Sequence, residues 1–315
     1  MNNQGNKRTR SALLIPWLVL SMWLWGPAVA SEDCIGVIYP EVREPYRSVL
    51  EQIVEGVTEG SPWLVRRHPV REESDVSVPQ CRALVGLGRQ GLRVIRDHAS
   101  GRSVVAGAVV LSPGEPTSVP TISLVPDSVE LFRRLKHFMP AVQSVTVVFN
   151  PKQNGRLVRD AQRAADRLGL DLHALEAKDL RSALVLYRET LQTMDPDTSA
   201  LWLLQDSVTV DSKNVLPLIL KDAWLNRLVT FSSQPAYVKN GVLFSVYPDN
   251  LALGRRLGKL AYLCATDGCT SKKVMPLRDL RTAVNVRTAD HLRIDFDPRG
   301  SPYVDLTFPE SRRSR

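Results

Sequence analysis

The residues with the clearest chemical potential are a glycine run and two acid–serine pairs. Gly86-x-Gly88-x-x-Gly91 follows an apolar run and precedes a helical pattern. Such a turn lets backbone N–H groups reach a pyrophosphate at a helix N-terminus. Here it follows a later strand of its half rather than the first, so a turn facing a small ligand is preferred to a dinucleotide site. A plain packing turn is the other reading. Asp127-Ser128 and Asp206-Ser207 stand where strands are expected to end. They lack a base partner for catalysis but suit ligand contacts, because ligands of open α/β sheets bind beyond the carboxyl ends of the strands. There is no G-x-S-x-G, no H-E-x-x-H and no Walker A loop. The histidines at 68, 98, 137, 173 and 291 fall singly. With no nucleophile–base set to name, neither enzyme activity nor a cofactor is expected.

The four cysteines suggest disulfides rather than a metal: there is no C-x-x-C, and no histidine lies within five residues of any of them. Cys34 and Cys81 each open an apolar run, and on neighbouring parallel strands they would lie at matching heights. Cys264 and Cys269 flank a short loop that can close on itself. The expected pairing is therefore 34–81 and 264–269, one of the possible connectivities.

The elements that must position these residues alternate along the chain. Strands are expected at 35–39, 81–87, 104–111 and 121–125, with helical spacing at 46–57, 92–98 and 127–138. The pattern then restarts near residue 142. Strands at 144–149, 171–174, 200–204, 228–231 and 242–247 are interleaved with helices at 155–168, 180–194, 215–224 and 250–264. Strand–helix alternation means parallel sheets with helices on both faces, and the restart means two lobes. Asp127 is placed to cap its helix, with Glu130 at capping-box spacing. Trp202 and Phe244 are mid-strand and read as core.

Composition and the N-terminus bound the setting. The chain has 315 residues, of which 43% are hydrophobic and 23% charged, which is an ordinary globular balance. Lys7, Arg8 and Arg10 precede a short apolar run that ends in Ala28-x-Ala30. Basic flank, apolar stretch and small-residue ending form a cleavable secretory signal, with cleavage expected after Ala30 and a periplasmic location. The alternative is an uncleaved anchor. Without these three cations the formal charge falls from +8 to +5. That surplus is modest, and export argues against a nucleic-acid partner.

The strand-end rule then selects the candidate site. The expected ligand contacts are Tyr39, Gly88, Arg89, Asn150, Asn154, Asp206, Ser233, Gln234 and Asp249. A carboxylate such as Asp206 suits a ligand amine, helix N-termini suit a carboxylate, and Tyr39 and Tyr247 could stack on a ring.

Several segments carry a resemblance. Residues 131–136 and the run from Val145 through Asn150-Pro151 are similar to the helix, strand and loop of the periplasmic substrate-binding proteins of ABC importers. The members in question include those that bind tryptophan or other aromatic amino acids. Residues 200–206, 231–237 and 241–249, and then Leu253-Gly254-Arg255, resemble further segments of that family. The resemblance spans most of residues 34–290. It implies a type I periplasmic-binding-protein fold: two Rossmann-like α/β lobes with parallel sheets flanked by helices, three crossovers and a hinge that closes on ligand. It puts Asn150, Asp206 and Asp249 near the cleft, and implies a small-molecule ligand, a membrane permease as partner and a monomer. The lobes are expected at 31–123 with 248–272 and at 124–247 with 273–300, followed by a basic tail at 301–315. The rival reading is a sensory or structural partner of a receptor or sensor kinase, without transport.

Overall fold

The computed structural model describes residues 32–71, 77–269, 272–294 and 303–309. The expected export signal at 1–30 lies outside these residues. The first half builds β1 (Glu32–Pro40), α1 (Tyr46–Glu59), β2 (Leu64–Val70), β3 (Cys81–Leu87), α2 (Gly88–Asp97), β4 (Ser103–Val109) and β5 (Thr121–Pro126). The second half begins with α3 (Ser128–Phe138), β6 (Ser144–Phe149), α4 (Pro151–Leu168), β7 (Asp171–Glu176) and α5 (Leu180–Thr193). It continues through β8 (Ser199–Leu203), α6 (Val215–Leu225), β9 (Val229–Ser232), α7 (Pro235–Asn240) and β10 (Phe244–Pro248). The chain closes with α8 (Asn250–Thr266), β11 (Val274–Leu277), β12 (Leu280–Asn285), α9 (Val286–His291) and β13 (Leu306–Phe308).

These strands form two sheets. The first has the order β11-β5-β4-β3-β1-β2, and the second β13-β12-β10-β9-β8-β6-β7. All pairings between named strands are parallel except β10 with β12. Each central strand is buried on both faces, so alternate residues serve different helices. On β1, Ile35 and Val37 join the core under α1 and α8, while Cys34 and Ile38 join the core under α2. In the second sheet, Phe132, Trp202, Phe231 and Phe244 stack in one core, and Trp202 and Phe244 are fully buried as expected. Tyr187, Leu191, Leu216 and Ile219 fill the core on the opposite face.

Both expected disulfides form, Cys34–Cys81 and Cys264–Cys269. The first joins neighbouring parallel strands, as their matching apolar runs require. The edges depart from the sequence reading. Strand β2 lacks an apolar alternation, because it is a half-exposed edge carrying Arg66, Arg67, His68 and Pro69. Strand β11 pairs with β5 in the first sheet, so the last return to the second sheet comes after residue 277 rather than after 272. The expected tail is in part a strand: β13 pairs with β12, Asp305 accepts from the Thr282 N–H, and Tyr303 packs on His137. Residues 310–315 of that tail lie outside the described residues.

Helix α8 reaches the first sheet by packing on α1 through facing glycines. A Cβ on Gly254 would lie 2.1 Å from the Ile53 carbonyl oxygen, and one on Gly56 2.1 Å from that of Leu251. The helix backbones therefore touch, which no larger residue allows. Gly254→Ala is expected to lower the unfolding free energy by roughly 2–3 kcal/mol, the cost of overpacking a closed interface. A denaturant midpoint equal to that of the parent chain would show that the helices are not in backbone contact.

Candidate functional site

The expected contacts all lie at strand carboxyl ends, but the structure gives them different duties. Asp206 follows β8 and is 1% exposed. Its Oδ2 accepts from the Asn150 N–H at 2.7 Å and from Asn154 Nδ2 at 2.9 Å. Its Oδ1 accepts from the N–H groups of Val208 at 2.9 Å and Thr209 at 3.1 Å. Both oxygens are thus occupied by the protein's own donors. The carboxylate that suited a ligand amine instead ties the loop after β6 to the turn after β8. Just beneath it, burial pushes the Tyr187 hydroxyl far above its ordinary range, and the Asp206 charge adds to this.

Asn150 is equally committed. Its Oδ1 caps α4 by accepting from the N–H groups of Lys152 and Gln153, and its Nδ2 donates to the carbonyls of Ala177 and Lys178. With Pro151 at the first helical position, this is a strong helix start. Asn154 stands one turn later, half-buried. Ser233 and Gln234 follow β9 and are half-buried, and their side chains have no hydrogen-bond partner among the described residues.

On the first sheet, the glycine-rich turn is explained by packing. A Cβ on Gly86 would sit 2.5 Å from the Gly91 carbonyl oxygen, and one on Gly91 2.5 Å from that of Ile38. Gly88 supplies a positive φ of 71°. The three glycines let α2 lie against β1 and β3. Arg89, in the first turn of α2, is exposed and has no partner among the described residues. Tyr39 faces α1 and lines a cavity of 410 Å³ with Arg47, Glu51 and Arg71, and burial raises its hydroxyl pKa. Burial also raises that of Tyr247, on β10. Val110, just past β4, is 63% exposed, and Tyr46, which opens α1, is 70% exposed. Neither was singled out by the sequence reading, since an exposed apolar residue after a strand or at a helix start gives no signal of its own.

The chain passes between the sheets three times, and each passage carries an aspartate. Asp127 links β5 to α3, Asp249 links β10 to α8, and Asp279 lies between β11 and β12. Asp127 caps α3 by accepting from the Val129 N–H and also accepts from Arg278 Nε at 2.8 Å. Glu130 does not complete a capping box; it pairs with Arg133 and Arg134. Asp249 caps α8 through the Ala252 N–H and accepts from Arg281 Nε at 3.0 Å. Arg256 donates to Asp279. The third passage is bonded to both others through Asp127 N–H to Leu277 O and Asp249 N–H to Asp279 O. Asp249, expected as a ligand contact, is thus a cap and a crossover tie. Asp127 caps its helix as expected, while its tie to Arg278, and the role of Asp279, were legible only once β11 and β12 were placed. Arg156 of α4 faces Glu115, in the loop bonded to β11, at 3.7 Å across the two sheets.

The architecture is that of the type I periplasmic binding proteins. A sequence profile of the family described as ABC transporter substrate binding protein matches residues 101–297, and the chain belongs to that family. No curated protein matches it. Among solved structures, it is similar to CD0873, a substrate-binding protein with adhesive properties from Clostridium difficile, in its ligand-free, open form. Identity is 14% over 89% of this chain and 100% of that one, with a TM-score of 0.61. A conserved domain protein from Vibrio cholerae is 16% identical over 88% of this chain and 100% of its own, with a TM-score of 0.49. An ABC domain from Streptococcus pneumonia in complex with L-Trp is 14% identical over 87% and 99%, with a TM-score of 0.45.

Two outcomes follow from the carboxylates. Asp206→Ala strands the buried Asn150 N–H and is expected to cost about 3 kcal/mol in a denaturant titration. A change within experimental error would refute the assigned role. Burial pushes the Asp249 carboxyl up, but the Ala252 N–H and the Arg281 guanidinium outweigh it, so its pKa falls below the ordinary 3.8. A lowered folded-state pKa stabilises the fold above the unfolded value and loses that contribution as pH falls. The stability gap between the parent chain and Asp249→Asn should therefore be flat above about pH 5 and narrow below about pH 4. A gap that widens on acidification would contradict this sign.

Proposed function

We propose that the chain is the exported solute-binding component of an ABC-type importer. It captures a small polar or aromatic solute between its two lobes and presents the closed form to a membrane permease. The observation that carries this reading is that two mostly parallel sheets meet through three short crossovers, with the carboxyl ends of both sets of strands carrying the candidate contacts. Tighter ligand contacts in the closed state would drive the hinge. The lobes are the two sheets with their helices, α8 and β11 belonging to the first. No covalent chemistry is assigned, in keeping with a family of binding proteins.

The occupancy of Asp206, Asn150 and Asp249 narrows the direct contacts. Arg89 from the first lobe, and Ser233, Gln234 and the free oxygen of Asn154 from the second, keep capacity for a ligand's polar groups. Tyr46 and Val110 offer apolar surface at the first lobe's strand ends, fitting a solute with a nonpolar portion.

The test is a thermal-shift screen of the exported form, starting at Ser31, against amino acids, aromatic metabolites, nucleosides and small sugars. A micromolar ligand at millimolar dose should add roughly 4 kcal/mol of stability. Gln234→Ala should weaken the hit by about tenfold, the worth of one hydrogen bond in a desolvated site, while leaving the unliganded melting point in place. A flat screen, or turnover of the bound solute, would overturn the proposal.

A further inference from the structure

A groove of 540 Å³ lies beside the crossovers, apart from the strand-end contacts. One wall is first-sheet chain, with Gly114 bonded to β11 and Pro276 within it. The other wall is the junction of α3 and α4. Four arginines from three elements line it: Arg133 of α3, Arg163 and Arg167 of α4, and Arg278 of the third crossover.

Three of these guanidiniums pair with acids of the same groove: Arg133 with Glu130, Arg163 with Asp160 and Arg278 with Asp127. The three guanidiniums are more than half exposed while their acids are about a quarter exposed or less; Arg278 stays with Asp127 as a crossover tie, whereas Arg133 and Arg163 have donors left over beyond those that hold Glu130 and Asp160. Arg167 has no partner among the described residues. The groove thus presents one unengaged guanidinium, Arg167, and two, Arg133 and Arg163, whose remaining donors can reach a shared anion.

One further atom selects among anions. Asp160 lines the groove, and its Oδ2 is buried with no hydrogen-bond partner among the described residues. A buried acceptor left unpaired is costly, and a ligand that brings a donor relieves that cost. A fully deprotonated anion beside it would instead meet like charge. We propose that this groove is a second binding site, for a small oxyanion that retains a proton, of which hydrogen phosphate is the simplest. The arginines would take its charged oxygens and Asp160 would accept from its hydroxyl.

The probe is inorganic phosphate, titrated calorimetrically into the full chain near neutral pH, against sulfate at matched ionic strength. Phosphate should bind, and sulfate, which has no proton to donate, should bind about tenfold more weakly. The double variant Arg133→Gln/Arg167→Gln removes two exposed side chains and should melt like the parent chain while losing phosphate affinity by about tenfold or more. Asp160→Asn supplies a donor in place of the acceptor and should bring sulfate level with phosphate. Because these side chains lie apart from the strand-end contacts, the solute affinity of the Arg133→Gln/Arg167→Gln chain should be that of the parent. No heat with phosphate, equal affinity for both anions in the parent chain, or undiminished phosphate binding in the double variant would each overturn the proposal.

Discussion

Everything in this molecule turns on the bundle of crossovers where Asp127, Asp249 and Asp279 meet Arg278, Arg281 and Arg256. The two sheets have no ladder in common, so their relation is set where the chain changes sides. At each passage one short carboxylate is available, and at two of them it caps the helix that follows while also holding an arginine. Capping fixes where α3 and α8 start, and the arginine fixes which strand they start beside. The backbone bonds from Asp127 to Leu277 and from Asp249 to Asp279 join the third passage to the other two. These bonds run between the passages themselves.

The same economy governs the second lobe's strand ends. A buried carboxylate is tolerated only when its oxygens are filled. Asp206 meets that condition entirely from within its own lobe, with four donors from two loops. It therefore ties the loop after β6 to the turn after β8 and spends its acceptors within the protein. Arg89, Ser233 and Gln234, by contrast, lack side-chain partners among the described residues.

Much of this was readable in the residues. The long strands and helices follow from continuous apolar runs alternating with helical spacing, and the restart near residue 142 marks the second sheet. The disulfides were legible because Cys34 and Cys81 open matching runs. The strand-end rule correctly placed the candidate residues at strand carboxyl ends, but could not assign their duties. A carboxylate's type and position look alike whether it faces solvent or accepts four internal hydrogen bonds, as Asp206 does. The edge strands were hidden for a different reason. Strands β2, β11 and β13 are short or half-exposed and carry Pro69, Pro276 or polar residues, so they lack the alternation that marks a buried strand.

What the sequence determined by itself is the layered α/β architecture, its division in two, the cysteine pairing and the helix start at Asp127, whereas α4 begins at Pro151 rather than at the expected 155. These depend on neighbours in the chain or on burial periodicity, both of which are written locally. Tertiary structure alone decided that β11 belongs with the first sheet, that the glycine-rich turn serves close packing of α2, and that arginines from three elements converge on one groove beside the crossovers. Each of these depends on which distant segments come within a few ångströms, and the spacing of residues along a chain carries no record of that distance.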